Sequence, residues 1–187
     1  MDEIRKYFNN FLVLSDAEWL DFESCLMQQD IAKKETLINE GQVCDFIAFI
    51  AQGTFRFYVV KEGEEKVTAF FFKGSFVTNF RSFLTEQPSE HFIEALQDSV
   101  VYKMPKKDLH RLFDKYPNLE RLGRMVAENL YLGVAKRLDS FLFLSPKERY
   151  EELFKQNSRL PEEIPQYMIA SYLGVKPETL SRIRARK

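Results

Sequence analysis

The chain has 187 residues, of which 45% are hydrophobic and 18 are Phe, and its formal net charge at pH 7 is −1. This apolar content is ample for a packed core and excludes an intrinsically disordered chain. No apolar run approaches the roughly 20 residues of a membrane span, and residues 1–6 lack the basic-then-apolar order of a signal peptide, so we expect a globular, cytoplasmic protein of one large domain or two small ones.

The first predicted element is a short helix that begins at Ser15. Ser15 and Glu18 have the spacing of a capping box, in which each side chain accepts a hydrogen bond from a backbone N–H of the first turn. Trp19, Phe22 and Leu26 follow at helical intervals. The pattern therefore predicts a helix with one apolar face.

The region from residue 36 to residue 104 has the pattern of an all-β structure. Gly41, Gly53, Gly63 and Gly74 divide it at regular intervals of 12, 10 and 11 residues, and the segments between them are rich in β-branched and aromatic residues. Evenly spaced turn residues indicate a series of short strands. The predicted strands cover residues 36–39, 46–51, 54–61, 65–72, 92–96 and 100–104, with a hairpin turn at residues 62–64.

Two helices are predicted after these strands. Pro105 suits a first helical turn, where its missing N–H is not needed, and this helix extends to about residue 115. A longer helix follows Pro117, because apolar residues recur every three or four positions over about seven turns. They are Leu119, Leu122, Val126, Leu130, Val134, Leu138 and Phe141. A second copy of the chain in a parallel coiled coil is the simplest partner for this stripe, and packing on the chain's own β region is the alternative.

A further helix and a domain boundary are predicted at Ser145. Ser145 is a capping residue, Pro146 occupies the first helical position, and Glu148 completes a capping box. The chain after this boundary is basic, with nine Lys or Arg against six Asp or Glu in residues 145–187. Residues 176–187 contain five cations and one anion. Such a local excess of positive charge attracts a polyanion.

Residues 166–183 have the pattern of two short helices joined by a tight turn. Ala170 is small enough to let the helices approach, and Gly174 can adopt the left-handed conformation that ends the first helix. Val175 places an apolar side chain under the turn, and Pro177 begins the second helix. This arrangement is typical of a helix-turn-helix.

The second helix of this pair carries the candidate DNA-reading residues. Glu178, Ser181 and Arg182 lie at i, i+3 and i+4 and share one face, while Leu180 and Ile183 point inward. Arg can pair with guanine O6 and N7 and Glu can accept from cytosine N4, so this face suits a major-groove edge. Four basic residues are predicted to contact phosphates: Lys176, Arg184, Arg186 and Lys187. The alternative is a basic, solvated helix end.

This segment resembles the helix-turn-helix of the Crp/Fnr family of bacterial transcription regulators, whose recognition helix carries a Glu-x-x-Ser/Gly-Arg pattern. The Gly-punctuated strands, the Gly74-Ser75-Phe76 turn and the long helix before Ser145 resemble the family's cyclic-nucleotide-binding-like β-roll and dimer helix. The resemblance implies an α+β fold with an N-terminal antiparallel β-roll, that is, a double-stranded β-helix, followed by helices. The family's β wing is expected to be truncated or absent, because the chain stops at Lys187.

The resemblance also implies the domain organisation and the partners. Residues 1–115 correspond to the sensor domain, residues 116–144 to the dimerisation helix and residues 145–187 to the DNA-binding domain. The implied partners are double-stranded DNA with a pseudo-palindromic operator, a second copy of the chain bound through residues 117–143, and RNA polymerase. No membrane is implied.

The residues that bind the cyclic phosphate in this family are replaced. A Gly-Glu pair and, about ten residues later, an Arg-Ser or Arg-Thr pair hold the nucleotide in members that bind it. Here these pairs align with Thr78-Asn79 and Ser89-Glu90. Loss of the Arg and gain of a like charge disfavour a phosphate, so we expect no cAMP response of the usual kind, no cofactor and an effector of unknown identity.

The candidate effector pocket is left with six polar residues, namely Thr78, Asn79, Arg81, Ser89, Glu90 and His91. Arg81 and His91 are either replacement ligands or surface and structural residues. An aromatic lining of Phe72, Phe76, Phe80, Phe83 and Phe92 is expected either to hold an apolar ligand or to fill the roll itself.

Two other classes of function were open to the chain. An enzyme with a cupin-type metal site on the β-roll needs several His and a carboxylate, whereas the chain has only His91 and His110. Cys25 and Cys44 are too few and too far apart for a metal or iron–sulfur cluster, and are interpreted as core or surface thiols. We therefore expect no metal and no catalysis. A ligand-binding or protein-interaction module with a degenerate helix-turn-helix remains the alternative, because of the missing wing.

Overall fold

The computed structural model describes residues 1–156 and 160–185 of the chain. The helices are α1 (Asp2–Asn9), α2 (Asp16–Ser24), α3 (Phe80–Thr85), α4 (Lys106–Lys115), α5 (Pro117–Phe143), α6 (Pro146–Gln156), α7 (Leu160–Glu163), α8 (Gln166–Leu173) and α9 (Pro177–Ala185). The strands are β1 (Met27–Ile31), β2 (Thr36–Ile38), β3 (Phe46–Gln52), β4 (Thr54–Lys61), β5 (Glu64–Phe72), β6 (Phe76–Val77), β7 (Phe92–Ala95) and β8 (Ser99–Pro105).

The strands form two sheets, in the orders β1-β8-β3-β6 and β2-β7-β4-β5. β8 pairs antiparallel with both β1 and β3, and the β2–β7 and β3–β6 pairs are also antiparallel. Antiparallel strands followed by a long helix and further short helices are the arrangement expected from the sequence. The α+β fold with an N-terminal β-roll is therefore confirmed.

Alternate residues of β3 contribute to two different apolar clusters, because successive side chains of a strand point to opposite faces. Phe46, Ala48 and Ile50 belong to the core between the two sheets, which Phe55 and Ile93 also fill. The second cluster, which we call the helix-covered cluster, is formed mainly by helices. Its buried residues include Ile4, Phe8, Trp19, Phe22, Phe83, Leu112, Leu119 and Leu122, together with Phe49 of β3 and Met104 of β8. The roll is therefore apolar inside and is covered by helices on the β3 face.

Both predicted capping boxes are present. The carboxylate of Glu18 accepts from the N–H and the hydroxyl of Ser15 at 2.8 Å, and the N–H of Glu18 donates to the Ser15 hydroxyl at 3.4 Å. The other carboxylate oxygen of Glu18 accepts from the side-chain amide of Asn118 at 2.9 Å. At the second box, the N–H of Ser145 donates to Glu148 at 2.8 Å and the N–H of Glu148 donates to Ser145 Oγ at 3.3 Å. The predicted beginnings of α2 and α6 are thus confirmed.

Several elements differ from the sequence prediction, and β6, α3 and the short α7 were not predicted. Pro105 is the last residue of β8, with φ −62° and ψ 145°, so that α4 begins only at Lys106. α1 was not predicted, because it buries only Ile4 and Phe8 and its eight residues are too few for a clear apolar period. β1 was not predicted either, because four of its five residues are polar or exposed and only Ile31 is buried.

The apolar stripe predicted along α5 is divided between different surroundings. Leu119 and Leu122 are buried in the helix-covered cluster of the chain's own β-roll, as the alternative interpretation proposed. Val134 and Leu138 are 60% and 59% exposed. Phe141, at the far end, lies against Gly174 of the same chain. Leu119 and Leu122 therefore do not belong to a coiled-coil stripe, whereas the stripe from Leu130 to Phe141 stays a prediction.

The chain divides into two compact units. The first consists of Met1–Phe57 and Phe70–Asn129, and the second of Tyr58–Ala69 and Leu130–Lys187. The second unit thus combines the tip of the β4–β5 hairpin with the second half of α5 and the C-terminal helices. No helix within residues 1–156 and 160–185 is long and apolar enough to span a bilayer.

Candidate functional site

The predicted helix-turn-helix corresponds to α8, a three-residue turn and α9. Gly174 ends α8 in the left-handed region, with φ +67° and ψ 35°. The N–H groups of Gly174 and Val175 donate to the carbonyls of Ser171 and Ala170, each at 3.0 Å. A Cβ at position 174 would lie 3.0 Å from the ring of Phe141. Glycine is therefore required here both for the backbone conformation and for the close approach of the ring.

The two helices pack through small and apolar side chains. Ile169, Ala170 and Leu173 of α8 are buried, and so is Leu180 of α9. Ile183 is half-buried. The inward orientation predicted for Leu180 and Ile183 accounts for this pattern, which leaves the opposite face of α9 in solvent.

The predicted base-reading residues lie on that solvent face. Glu178, Ser181 and Arg182 are all exposed, and the Nε of Arg182 donates to the carbonyl of Glu178 at 3.4 Å. Lys176 and Arg184, predicted to contact phosphates, are exposed as well. Arg186 and Lys187, predicted for the same role, lie outside the described residues. The arrangement offers one carboxylate, one hydroxyl and one guanidinium to a ligand, but their role in reading DNA remains a prediction.

Two arginines that no sequence pattern indicated donate hydrogen bonds to backbone carbonyls at the turn of the helix pair. Arg149 donates to the carbonyl of Leu173 at 3.2 and 3.0 Å through Nε and Nη2, and to the carbonyl of Leu144 at 2.8 Å. Arg137 donates to the carbonyl of Tyr172 at 2.9 Å. We call Arg137 and Arg149 the arginine cap, because they satisfy the carbonyls at the C-terminal end of α8.

The ring of Phe141 lies between the components of this cap. Its centroid is 4.9 Å from the guanidinium carbon of Arg137 and 4.9 Å from that of Arg149. Burial lowers the pKa of the Arg137 guanidinium, which nevertheless stays protonated because a guanidinium is not deprotonated in proteins. No sequence pattern would have revealed this role, because nothing in the sequence distinguishes a helical Arg that bonds a carbonyl from one that contacts solvent or a phosphate.

At the predicted effector position, the polar residues bind one another and the backbone. Asn79 caps α3 by accepting from the N–H of Ser82 at 3.2 Å, and its amide donates to Ser89 Oγ at 2.7 Å. Ser89 Oγ donates in turn to the carbonyl of His91 at 2.6 Å. Asn79 and Ser89 are only 5% and 3% exposed. Thr78 donates to the carbonyl of Phe46 at 2.8 Å. These side chains therefore serve the local fold.

The remaining candidates at this position are Arg81, Glu90 and His91. Arg81 and Glu90 are exposed and form an ion pair of 3.2 Å. His91 stacks on Phe57 with the ring centroids 4.2 Å apart. Burial lowers the pKa of His91, and this effect outweighs the opposite influence of Glu90. His91 thus acts as part of an aromatic contact in the neutral state near pH 7.

The predicted aromatic lining of the roll is wrong for Phe76, Phe80 and Phe83. These three rings belong to the helix-covered cluster on the other side of the β3 sheet. The rings that pack against the core between the sheets are Phe57 and Phe71. The error arises because Phe76 lies on a two-residue strand and Phe80 and Phe83 lie on α3, so the alternation of a regular strand does not apply to them.

The thiols and acidic groups give no indication of a metal centre. Cys25 is half-buried and Cys44 is buried, and both are free thiols. Within the described part of the chain, no group of three or more His, Cys, Asp or Glu is placed to hold a metal ion.

The sequence is similar to known bacterial regulators. Residues 28–116 match the family described as the cyclic nucleotide-binding domain. The fumarate and nitrate reduction regulatory protein of Salmonella typhi is 32% identical over 175 residues, which cover 85% of this chain and 68% of that protein. The protein of the same name from Escherichia coli strain K12 is 31% identical over the same coverage.

Solved structures show a similar fold. FixK2 from Bradyrhizobium japonicum has a TM-score of 0.73 at 19% identity, covering 86% of this chain and 83% of that one. A structure from Eubacterium rectale that is described as a regulator of the crp/fnr family has a TM-score of 0.70 at 17% identity, covering 97% of this chain and 87% of that one. At these identities the likeness concerns the fold alone.

Proposed function

This chain belongs to the Crp/Fnr family of transcriptional regulators, and from that membership we propose that it binds double-stranded DNA as a homodimer. In this proposal the two copies of α9 enter successive major grooves of a pseudo-palindromic operator, about one helical turn apart. The observation that carries the proposal is the exposed polar face of α9, where Glu178, Ser181 and Arg182 lie opposite the buried Leu180.

We assign different roles to the exposed side chains near this face. Arg182 can bond guanine O6 and N7 with two donors, Glu178 can accept from cytosine N4, and Ser181 can bond either kind of base edge. Lys176 and Arg184 would contact phosphates and contribute affinity that depends on salt rather than on sequence. The arginine cap supports this assignment because it holds the turn before α9 in one conformation.

The exposed middle of α5 is the surface that we assign to the second copy. Tyr131, Val134, Leu138 and Leu142 are 71%, 60%, 59% and 65% exposed. Their spacing of three and four residues gives one apolar seam, as in a two-stranded coiled coil. Within the range 117–143 of the predicted dimer contact, Leu132 and Phe143 are exposed as well, at 63% and 76%, whereas Leu119 and Leu122 are buried in their own protomer.

We also propose that cAMP is not an effector in the family's usual mode. The amide of Asn79 is bonded to Ser89, and Glu90 is paired with Arg81, so the position that would hold the phosphate offers an anion no free cluster of donors. Isothermal titration calorimetry with cAMP and cGMP should give no saturable heat at physiological concentrations. Micromolar binding would contradict this part of the proposal.

Selection of DNA from a random pool by the purified protein tests the main proposal. We expect enrichment of fragments that contain two inverted half-sites one helical turn apart. The double variant Glu178→Ala, Arg182→Ala should enrich no common sequence, while Arg5→Ala, which removes an exposed guanidinium from α1, should enrich the same fragments as the wild type. A wild-type protein that is dimeric by sedimentation but enriches no sequence would favour a protein-interaction module instead.

RNA polymerase is the further partner that we propose from family membership. A DNA-bound dimer would contact it at a promoter, and pull-down of the polymerase on promoter fragments with and without the regulator would test this step.

A further inference from the structure

A single hydroxyl joins the β4–β5 hairpin to the first helix of the helix-turn-helix. The N–H of Val67 donates to Ser171 Oγ at 3.0 Å, and Ser171 Oγ is 3.3 Å from the carbonyl oxygen of Glu65, to which it donates. These groups are more than 100 residues apart in sequence, yet Tyr58–Ala69 and Leu130–Lys187 belong to the same compact unit. We call this pair of hydrogen bonds the hydroxyl latch.

The latch joins the Ser171 hydroxyl to two backbone groups of β5, a strand at the edge of its sheet. β5 is the last strand in the order β2-β7-β4-β5. The carbonyl of residue 65 and the N–H of residue 67 point to the same side of the strand, because the direction of backbone groups repeats every two residues. A serine hydroxyl can donate one hydrogen bond and accept another, so Ser171 can satisfy both groups at once.

The hydroxyl latch and the DNA-reading face lie on different parts of the helix pair. Ser171 is on α8 and is half-buried, whereas Glu178, Ser181 and Arg182 are on α9 and remain exposed while the latch is closed. α8 packs against α9, and Leu173 and Leu180 are buried. An interaction that restrains α8 therefore also restrains α9. The two hydrogen bonds of Ser171 do not cover the exposed face of α9.

From this geometry we infer that Ser171 is a positioning residue through which the β4–β5 hairpin holds the helix-turn-helix in its DNA-binding orientation. This inference rests on the proposed function, because it concerns how the same reading face is presented to DNA. It gives the hairpin a direct connection to the DNA-reading helices that does not pass through α5. By linkage, DNA bound to α9 must then stabilise the hairpin to the same extent that the hairpin favours DNA binding.

Hydrogen exchange measured by mass spectrometry on peptides covering residues 58–69 tests the inference. The probe is a DNA fragment enriched from the random pool. In the wild type, DNA should slow exchange in these peptides. In Ser171→Ala, exchange should be faster in the free protein and unchanged by DNA, and affinity for the fragment should fall by about fivefold, because two modest hydrogen bonds no longer preorganise the helix pair.

Two further variants separate positioning from general stability. Ser171→Thr keeps the hydroxyl and should restore both the affinity and the response of the hairpin to DNA. Ser24→Ala removes a hydroxyl that donates to the carbonyl of Asp21 in its own helix α2 at 2.7 Å, and it should behave as the wild type. Ser171→Ala can also lower the thermal midpoint. In that case, recovery of DNA affinity and of the hairpin response in Ser171→Thr still distinguishes a positioning role from general stability.

The outcomes distinguish the inference from the proposed function. Wild-type hairpin exchange and affinity in Ser171→Ala would overturn the inference, and so would an equal effect of DNA on the hairpin in both proteins. If the wild type enriches no DNA at all, the proposed function fails. Faster hairpin exchange in free Ser171→Ala would then still verify the latch, without a role in DNA binding.

Discussion

The reading face of α9 and the effector position beside α3 are both rich in polar residues, but these residues are in opposite situations. On α9, Glu178, Ser181 and Arg182 face solvent. Beside α3, Asn79 and Ser89 are buried and bonded to each other. The same kinds of side chain are therefore available to a ligand in one region and engaged in the fold in the other. The difference shows that a candidate binding residue is defined by its free donors and acceptors, not by its position in a family alignment.

The largest effect that could break this comparison is expected at Arg182. Arg182→Ala should weaken binding to a selected DNA fragment by about 1–3 kcal/mol, or roughly 5- to 150-fold, because a bidentate base contact is lost. Arg182→Lys should lose most of the same discrimination although it keeps the charge, since an ammonium lacks the planar fork. Arg184→Ala should instead weaken binding to all sequences alike. Fluorescence anisotropy with specific and scrambled fragments measures these changes, and full specificity in Arg182→Lys would contradict base reading.

The second effect concerns the turn that presents the reading face. Gly174→Ala should lower the free energy of unfolding by about 2–3 kcal/mol, because a left-handed residue gains a Cβ and that Cβ meets the Phe141 ring. Gly63→Ala is the matched control, since Gly63 also has a positive φ of 78° but has nothing within 4 Å of the added atom. It should cost about 1 kcal/mol. Urea denaturation compares the two, and equal losses would show that the ring contact is unimportant.

The third effect tests whether the effector position is structural. Asn79→Ala removes the cap of α3 and a buried hydrogen bond, so it should destabilise the protein by about 1–2 kcal/mol. Asn129→Ala, on the exposed surface of α5, should change stability little. Thermal unfolding measures the stability of both variants, and its comparison with and without cAMP shows whether the nucleotide binds. A stable Asn79→Ala protein that still binds DNA normally would show that this residue is not needed by the fold and is free for a ligand.

The smallest effect is expected in how the stability contributed by Glu18, another engaged polar residue, changes with pH. Burial acts to raise the pKa of Glu18, but hydrogen bonds from Ser15 and Asn118 outweigh it and bring the pKa below its ordinary value of 4.5. A carboxyl with a lowered pKa stabilises the fold fully above the unfolded-state pKa and loses this contribution as the pH falls through the folded-state value. The stability difference between the wild type and Glu18→Gln should thus shrink below about pH 4.5.

The sequence was most informative where a local pattern has one structural solution. The capping boxes at Ser15 and Ser145, the evenly spaced strands and Gly174 were all predicted, because each depends on neighbouring residues. The arginine cap, the hydroxyl latch and the Asn79–Ser89 bond were not predicted. They join groups from distant parts of the chain or depend on which way a loop turns, and no residue period encodes such contacts. For the same reason, the sequence placed Phe76 and Phe83 in the wrong cluster.

The arginine cap has a consequence for protein engineering. Its first arginine and the ring that it contacts both precede Ser145, whereas its second arginine and the glycine turn follow it. A recombinant fragment or chimaeric regulator cut at residue 145 would separate these partners and transplant a helix pair whose turn has lost half of its support. A fusion joined near residue 130 would transfer the complete assembly, so the segment that supports the helix-turn-helix begins well before the helix-turn-helix itself.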